Sequence, residues 1–297
     1  FIIIFIILIL SRIKFTKKIR DIKVGLCVIG KKENIYANEY VNHYRRIGYD
    51  HIFIYDNNDI NDEKFEDILQ KEISEDYVTI IDYRGYMGKI NRPQFDAYID
   101  CFQKNKYKYD CLSFFDFDEF LELNNKTIHE YLGNKVFDKC ANVKINWLMY
   151  SDNELIYYEN KSVQERFIVP LFNDVANHII KSTINCKLKR NYWNGMYNPH
   201  CSNNGFRACN SRGNTTNPKA VFSDPANFEK AYLKHYATKS IEEYCNKTKR
   251  GRSDTLVVLD QKTLKEYFDY FFLRNKITQE KLDYIEKIFN YTYSINI

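Results

Sequence analysis

The sequence predicts an α/β protein: a doubly wound, mostly parallel sheet with helices on both faces and further helices at the C-terminus. Three observations predict it. Apolar runs at 24–30, 51–55, 77–83 and 110–121 have strand length and Gly or polar boundaries. Helix-length segments at 34–47, 62–71 and 91–107 separate them, so each strand is followed by a crossover. With 297 residues, 44% hydrophobic and 28% charged, the chain can bury a large core, and disorder is excluded for most of its length.

The elements follow in order. VGLCVIG (24–30) is a buried strand bounded by glycine. Ile35, Tyr40, Val41, Tyr44 and Ile47 recur at helical spacing. HIFIY (51–55) is the second strand and runs into the turn-rich DNNDIND. A polar helix at 62–71 leads to the third strand, YVTIIDY (77–83). Residues 91–107 suit a helix, with Pro93 tolerated in its first turn. DCLSFFDFDEFL (110–121) begins as a fourth apolar strand and turns acidic. ANVKINWLMY (141–150) reads as another strand, and 151–235 as mixed strands and long loops with repeated Asn-Gly, Asn-Pro and Asp-Pro turns. Residues 261–291 return to helix, with Leu264, Tyr267, Phe268, Phe271 and Phe272 as an apolar stripe. The expected division is a hydrophobic and basic segment over 1–23, an α/β domain over 24–255 and a helical extension over 256–297.

Composition narrows the partners. Net charge is +5, from 44 basic and 39 acidic residues, and no nucleic-acid-binding motif appears, so no nucleic acid is expected. Eight cysteines include no CxxC pair, which argues against a structural zinc site. Cys27 and Cys111 lie in apolar runs and read as buried thiols, whereas Cys186, Cys201, Cys209 and Cys245 are the ones placed to pair in an oxidising compartment. Phe1 to Leu10 are all apolar and precede Arg12, Lys14, Lys17, Lys18, Arg20 and Lys23. This pattern is read as a truncated membrane anchor or signal-anchor whose basic flank keeps the following domain on the cytoplasmic side, or in the Golgi lumen if the protein is eukaryotic; a buried strand or core helix and a cleaved targeting peptide are the alternatives. Five Asn-x-Ser/Thr sequons, at Asn125, Asn160, Asn214, Asn246 and Asn290, are expected by accident in so Asn-rich a chain.

In parallel α/β sheets, ligands bind beyond the carboxyl ends of the strands. Asp116 and Asp118 lie there, two residues apart, so an extended backbone turns both carboxylates to one side. Two oxygen ligands on one side suit Mg²⁺ or Mn²⁺. Phe114, Phe115, Phe117 and Phe120 interleave with the acids and would bury the opposite face. Lys239, Lys247, Lys249, Arg250 and Arg252 supply cations late in the chain, and Trp147 and Trp193 are candidates to stack on a sugar.

The segments KKEN (31–34), NEYVNHYRRIGYDHIFIYDNND (38–59), RPQFDAYIDC (92–101), FFDFDEFL (114–121) and LKHYATKSIEEYCNKTKRG (233–251) carry a more specific signal. Together they resemble glycosyltransferases of the GT-A fold, above all glycosyltransferase family 92 and its bacterial family-2-like relatives. The resemblance implies a UDP- or GDP-sugar donor, a divalent metal (Mn²⁺ or Mg²⁺), inversion at the anomeric carbon and a glycan or lipid-linked saccharide acceptor. It implies metal contact by Asp116 and Asp118, completed by His235 or His200. Glu33, Asn34, Asp56, Arg92, Gln94, Lys239, Lys247 and Arg250 are the implied donor-binding residues. For the general base, Asp152 is the first candidate, with Glu243 and Asp174 as rivals. Two alternatives stand beside this: a metal-dependent nucleotidyl or phosphoryl transferase, and a non-catalytic glycan-binding protein of the same fold. The stretch 186–217 matches no pattern and leaves the acceptor open.

Overall fold

The computed structural model describes residues 21–89, 92–189, 200, 207–223, 225–251 and 259–294. The N-terminal apolar run, Trp193, Cys201 and Arg252 lie outside the described residues. Among the described residues, no helix is long and apolar enough to cross a membrane.

The first four strands are β1 (Val24–Gly30), β2 (His51–Asp56), β3 (Val78–Asp82) and β4 (Cys111–Phe114). They lie in the order β3-β2-β1-β4 and all pair in parallel. Helix α1 (Asn34–Arg46) crosses between β1 and β2, and α2 (Pro93–Asn105) between β3 and β4. The period-2 rule divides β1 between two cores. Val24, Leu26 and Val28 pack with Tyr40, Val41 and Tyr44 of α1, while Cys27 and Ile29 pack with Tyr98, Cys101 and Phe102 of α2. Burial on both faces explains why β1 reads as one continuous apolar run.

The sheet then becomes mixed. It continues through β7 (Ile180–Asn185), β6 (Asn142–Met149), β10 (Tyr232–His235) and β5 (Glu119–Glu122). A small hairpin of β8 (Ala208–Asn210) and β9 (Thr215–Thr216) joins through β6. Only β5, β7 and β9 run against the other strands, so the sheet is mostly parallel. The segment 110–121 is therefore two strands, not one. Phe115 to Asp118 form the turn between them, and β5 departs to the opposite end of the sheet. The expected helix at 62–71 is likewise broken, into Phe65–Ile68 and Gln70–Ser74.

Helices α3 (Ile241–Arg250), α4 (Gln261–Phe272) and α5 (Gln279–Phe289) share one core of Ile241, Tyr244, Cys245, Leu264, Phe268, Phe271 and Ile285. Residues beyond 256 thus pack directly against α3. Cys209 is disulfide-bonded to Cys140, joining the start of β6 to β8 across 69 residues. Closing a loop of that length contributes roughly 4 kcal/mol in the chain-entropy account. Cys186 and Cys245 are buried and take no part in that disulfide.

Candidate active site

The β4–β5 turn builds the floor of the site. Phe115 and Phe117 are buried in the core, which turns the intervening Asp116 and Asp118 the other way. Phe117 stacks on Phe65 at 5.0 Å, beneath the end of β1. Gly30 allows this approach: a Cβ there would lie 2.6 Å from both rings. The turn is closed locally, since Asp116 N donates to Glu119 Oε2 and Glu119 N to Asp116 O.

Both aspartates line a cleft of about 580 Å³. Asp116 is fixed at three points: Gln94 Nε2 (2.9 Å), Tyr98 Oη (3.1 Å) and Lys181 Nζ (2.7 Å). Asp118 receives Lys247 Nζ at 2.6 Å and has His235 Nε2 at 3.5 Å. Burial pushes the Asp118 carboxyl up, but Lys247 and His235 outweigh it and hold the group well below the usual carboxylate range. Burial raises Glu119 well above its ordinary value; Lys181 opposes this, while Asp116 and Asp118 reinforce it. His235 is lowered by burial, against the pull of Asp118.

A hard cation fits one part of this floor. Ligand atoms of Asp118, Glu119 and His235 all lie within 4.8 Å of one another. Glu119 Oε1 and His235 Nδ1 are buried without a hydrogen-bond partner, as expected of groups awaiting a ligand. Two carboxylates and an imidazole are a donor set that suits Mn²⁺.

At the other end of the cleft, beyond β1, Arg250 Nη2 pairs with Glu33 at 2.7 Å, and its Nη1 donates to the Lys31 carbonyl. Lys31 and Lys247 line the same wall. The model of Glycosyltransferase family 92 matches residues 21–287.

The chain belongs to glycosyltransferase family 92.

No curated protein matches the chain. Among solved structures, S. aureus TarS 1–349 in complex with UDP is 13% identical, with a TM-score of 0.35. That match covers 57% of this chain and 48% of the other, so this chain spans about half the length of that structure. The mannosyltransferase PcManGT from Pyrobaculum calidifontis, in complex with GDP-Man and Mn²⁺, is 10% identical over 90% of this chain and 68% of the other, with a TM-score of 0.41. S. aureus TarS 1–349 in complex with UDP-GlcNAc is 8% identical over 91% and 73%, with a TM-score of 0.38.

In this family 92 enzyme the cleft brings together Glu33, Gln94, Asp116, Asp118, His200, His235, Lys247 and Arg250. His200 lies near Trp147, and its Nδ1 is 2.7 Å from Ile180 O; burial and Lys181 lower it to about 4. Other expected residues lie elsewhere. Asp56 accepts from Asn58 N and Phe65 N, stapling its own turn. Asn34 Oδ1 accepts from Asn58. Arg92 stacks over Phe95 at the start of α2. Lys239 is buried over the Tyr36 ring, with its left-handed backbone leading into α3.

The candidate bases are held by cations away from the cleft lining. Asp152 Oδ2 lies 2.5 Å from Lys281 Nζ, and the Asp152 backbone N–H donates to Asn275. Glu243 accepts from Arg166 (2.6 and 2.9 Å), Tyr36 Oη (2.6 Å) and Ser240 Oγ (2.6 Å), and completes the capping box of α3. Sequence reasoning missed Lys181, Glu119 and Glu266. Glu119 was visible as the third acid of DFDE; a lone lysine and a lone helical glutamate carry no such signal. Glu266, exposed on α4, lines the cleft and has no ion-pair partner among the described residues.

Proposed function

We propose that this enzyme transfers a hexose from a nucleotide diphosphate sugar to a hydroxyl of a glycan or lipid-linked saccharide. The transfer uses Mn²⁺ or Mg²⁺ and inverts the anomeric carbon. The observation that carries this reading is Asp118: an ionised, buried carboxylate on the cleft floor, with His235 on one side and Lys247 on the other.

Asp118, Glu119 and His235 would hold the cation. When bound, it neutralises the departing diphosphate as a Lewis acid. The protein's own cations act on the same charge. Lys247, Lys31 and Arg250 line the wall beside Asp118 and Glu33, where charge develops on a leaving nucleoside diphosphate. Glu33, steadied by Arg250, is placed to accept hydrogen bonds from the nucleoside. Asp116, anchored by Gln94, Tyr98 and Lys181, presents a fixed acceptor to the sugar hydroxyls. Of the two compartments considered, the Cys140–Cys209 disulfide favours an oxidising lumen over the cytoplasm.

The test is Asp118→Asn, an isosteric change that should leave the fold intact. Calorimetry with UDP- and GDP-sugars should show Mn²⁺-dependent binding in the wild type. Binding and transfer should fall by about 100-fold or more in the variant. Full transfer by Asp118→Asn rules the assignment out. Release of pyrophosphate, in place of a nucleoside diphosphate, would instead identify a nucleotidyl transferase.

A further inference from the structure

One surface stretch exposes apolar side chains as a group. Ile168 is 65% exposed, Val169 46%, Phe172 61% and Val175 73%, and Phe222 adds 57%. Residues 168–173 carry no charge. The acid that follows, Asp174, is turned inward and paired with buried Arg274 at 2.7 Å. Single exposed apolar residues are ordinary on a protein surface, but a group of them marks a contact site.

The fold gathers these residues around one turn. Asn177 Nδ2 donates to Leu171 O and Phe172 O, drawing the loop against the 3-10 turn Val175–His178. Phe222 forms an antiparallel bridge with Ile179, and Ser223 N donates to His178 O. Phe172, Val175 and Phe222 therefore surround the same turn. Ala176 and Ile179, from that turn and its end, line the cleft. The apolar surface thus adjoins the mouth of the active site.

We propose that this surface seats the hydrocarbon of a membrane lipid that carries the acceptor saccharide, holding its sugar hydroxyl at the cleft. The proposal rests on the glycosyl-transfer reading above and narrows the acceptor within it. Two features select a lipid over a protein partner. The exposed side chains are Phe, Ile and Val, without the Trp, Tyr and Arg that anchor protein contacts, and they offer no charge for a partner to read. The patch is also continuous with the cleft, so whatever lies on it stays beside the reacting centre.

The test uses methyl to octyl hexosides as acceptors at saturating donor, with the full chain. In the wild type, KM should fall about threefold to fourfold per added methylene until the patch is filled, with kcat unchanged. The triple variant Phe172→Ser, Val175→Ser, Phe222→Ser should flatten that series while keeping wild-type kinetics on methyl hexosides. A second readout needs no catalysis. Vesicles of phosphatidylcholine with phosphatidylglycerol should co-sediment the wild type, and the variant should bind at least tenfold more weakly. A wild-type KM indifferent to alkyl length, or a variant that keeps the full slope, overturns the proposal. So does a wild type that ignores vesicles, or one that self-associates through this face in place of binding them. Failure of metal-dependent donor binding is a separate result and counts against the glycosyl-transfer reading alone.

Discussion

Lys181 holds Asp116 from the neighbouring strand, its Nζ 2.7 Å from Asp116 Oδ2 and 3.5 Å from Glu119 Oε1. Strand β7 pairs antiparallel with β4, with Ser182 opposite Phe114, so the residue before Ser182 reaches the acidic turn that follows β4. Burial alone would lower the lysine's pKa, but Asp116 and Glu119 outweigh it and raise the value. The ammonium is almost wholly withdrawn from water, and Asp116 and Glu119 are the largest of the charges that offset that cost.

Lys181→Met should therefore be strongly destabilising, by roughly 3–5 kcal/mol, because it strands two acids beside Asp118. Adding Asp116→Asn should restore at least half of the loss. Urea unfolding of the double-mutant cycle measures this. Equal stability of Lys181→Met and the wild type would show that the pair contributes nothing to the fold.

The carboxylates near the cleft separate by their partners. Glu243 is locked by Arg166, Tyr36 and Ser240, and Asp152 by Lys281. Glu243→Gln and Asp152→Asn should each lower stability by about 2–4 kcal/mol while keeping kcat within a few-fold at low temperature. Glu266→Gln should do the reverse, with an unchanged melting temperature and a loss of about 100-fold in kcat if Glu266 takes the acceptor proton. A normal melting temperature with lost kcat in Glu243→Gln would return the general base to that residue.

The first half of the fold was legible because β1, β2 and β4 are buried on both faces and read as apolar runs. The acidic pair was legible because phenylalanines alternate with it. Strand β7 was not, since its sequence IKSTIN lacks any apolar pattern. Its polar groups are satisfied only by distant partners: Lys181 by Asp116, Ser182 by Asn142, and Thr183 by Ser113, which also contacts Tyr49. No local rule forecasts those pairings. The pairing of Asp152 was hidden for the same reason. Its partner Lys281 lies far along the chain, on a helix whose sequence gives no hint of an aspartate beneath it. The role of Asp56 in its turn is local, since Asp-Asn-Asn in a turn satisfies its own backbone.

The disulfide makes a claim about the compartment. Alkylating the native protein, taken from its own cells without reductant, should leave Cys140 and Cys209 unlabelled. Cys27 and Cys245 should label only after unfolding, since both are buried; burial pushes the Cys245 thiol up to about 12. The asparagines of all five sequons are exposed, whereas the eight asparagines that are buried among the described residues begin none. An N-glycosidase should therefore shift the protein on a gel. Full alkylation of both cysteines with no shift would place the domain in the cytoplasm.

His43 predicts how stability responds to acid. It is buried on α1, with Nε2 3.0 Å from Leu121 O, while Nδ1 faces Arg46 Nη2 at 3.1 Å and Gln164 Nε2 at 3.3 Å. The neutral ring satisfies both sides, donating from Nε2 and accepting at Nδ1. A second proton would point a donor at two donors. Burial is the main cause that lowers the group from 6.5 to about 4 in the fold. The unfolded chain therefore takes up this proton first. The contribution is complete above pH 6.5, declines as pH falls toward 4 and levels off below that. A shift of this size is worth on the order of 3 kcal/mol. His43→Gln retains a donor for Leu121 O without a titrating ring. Its stability, measured by urea unfolding from pH 7 to 4, should fall less steeply than the wild type's by about 1.4 kcal/mol per pH unit inside that window. Parallel curves would mean that His43 is protonated in the native state, with Arg46 displaced.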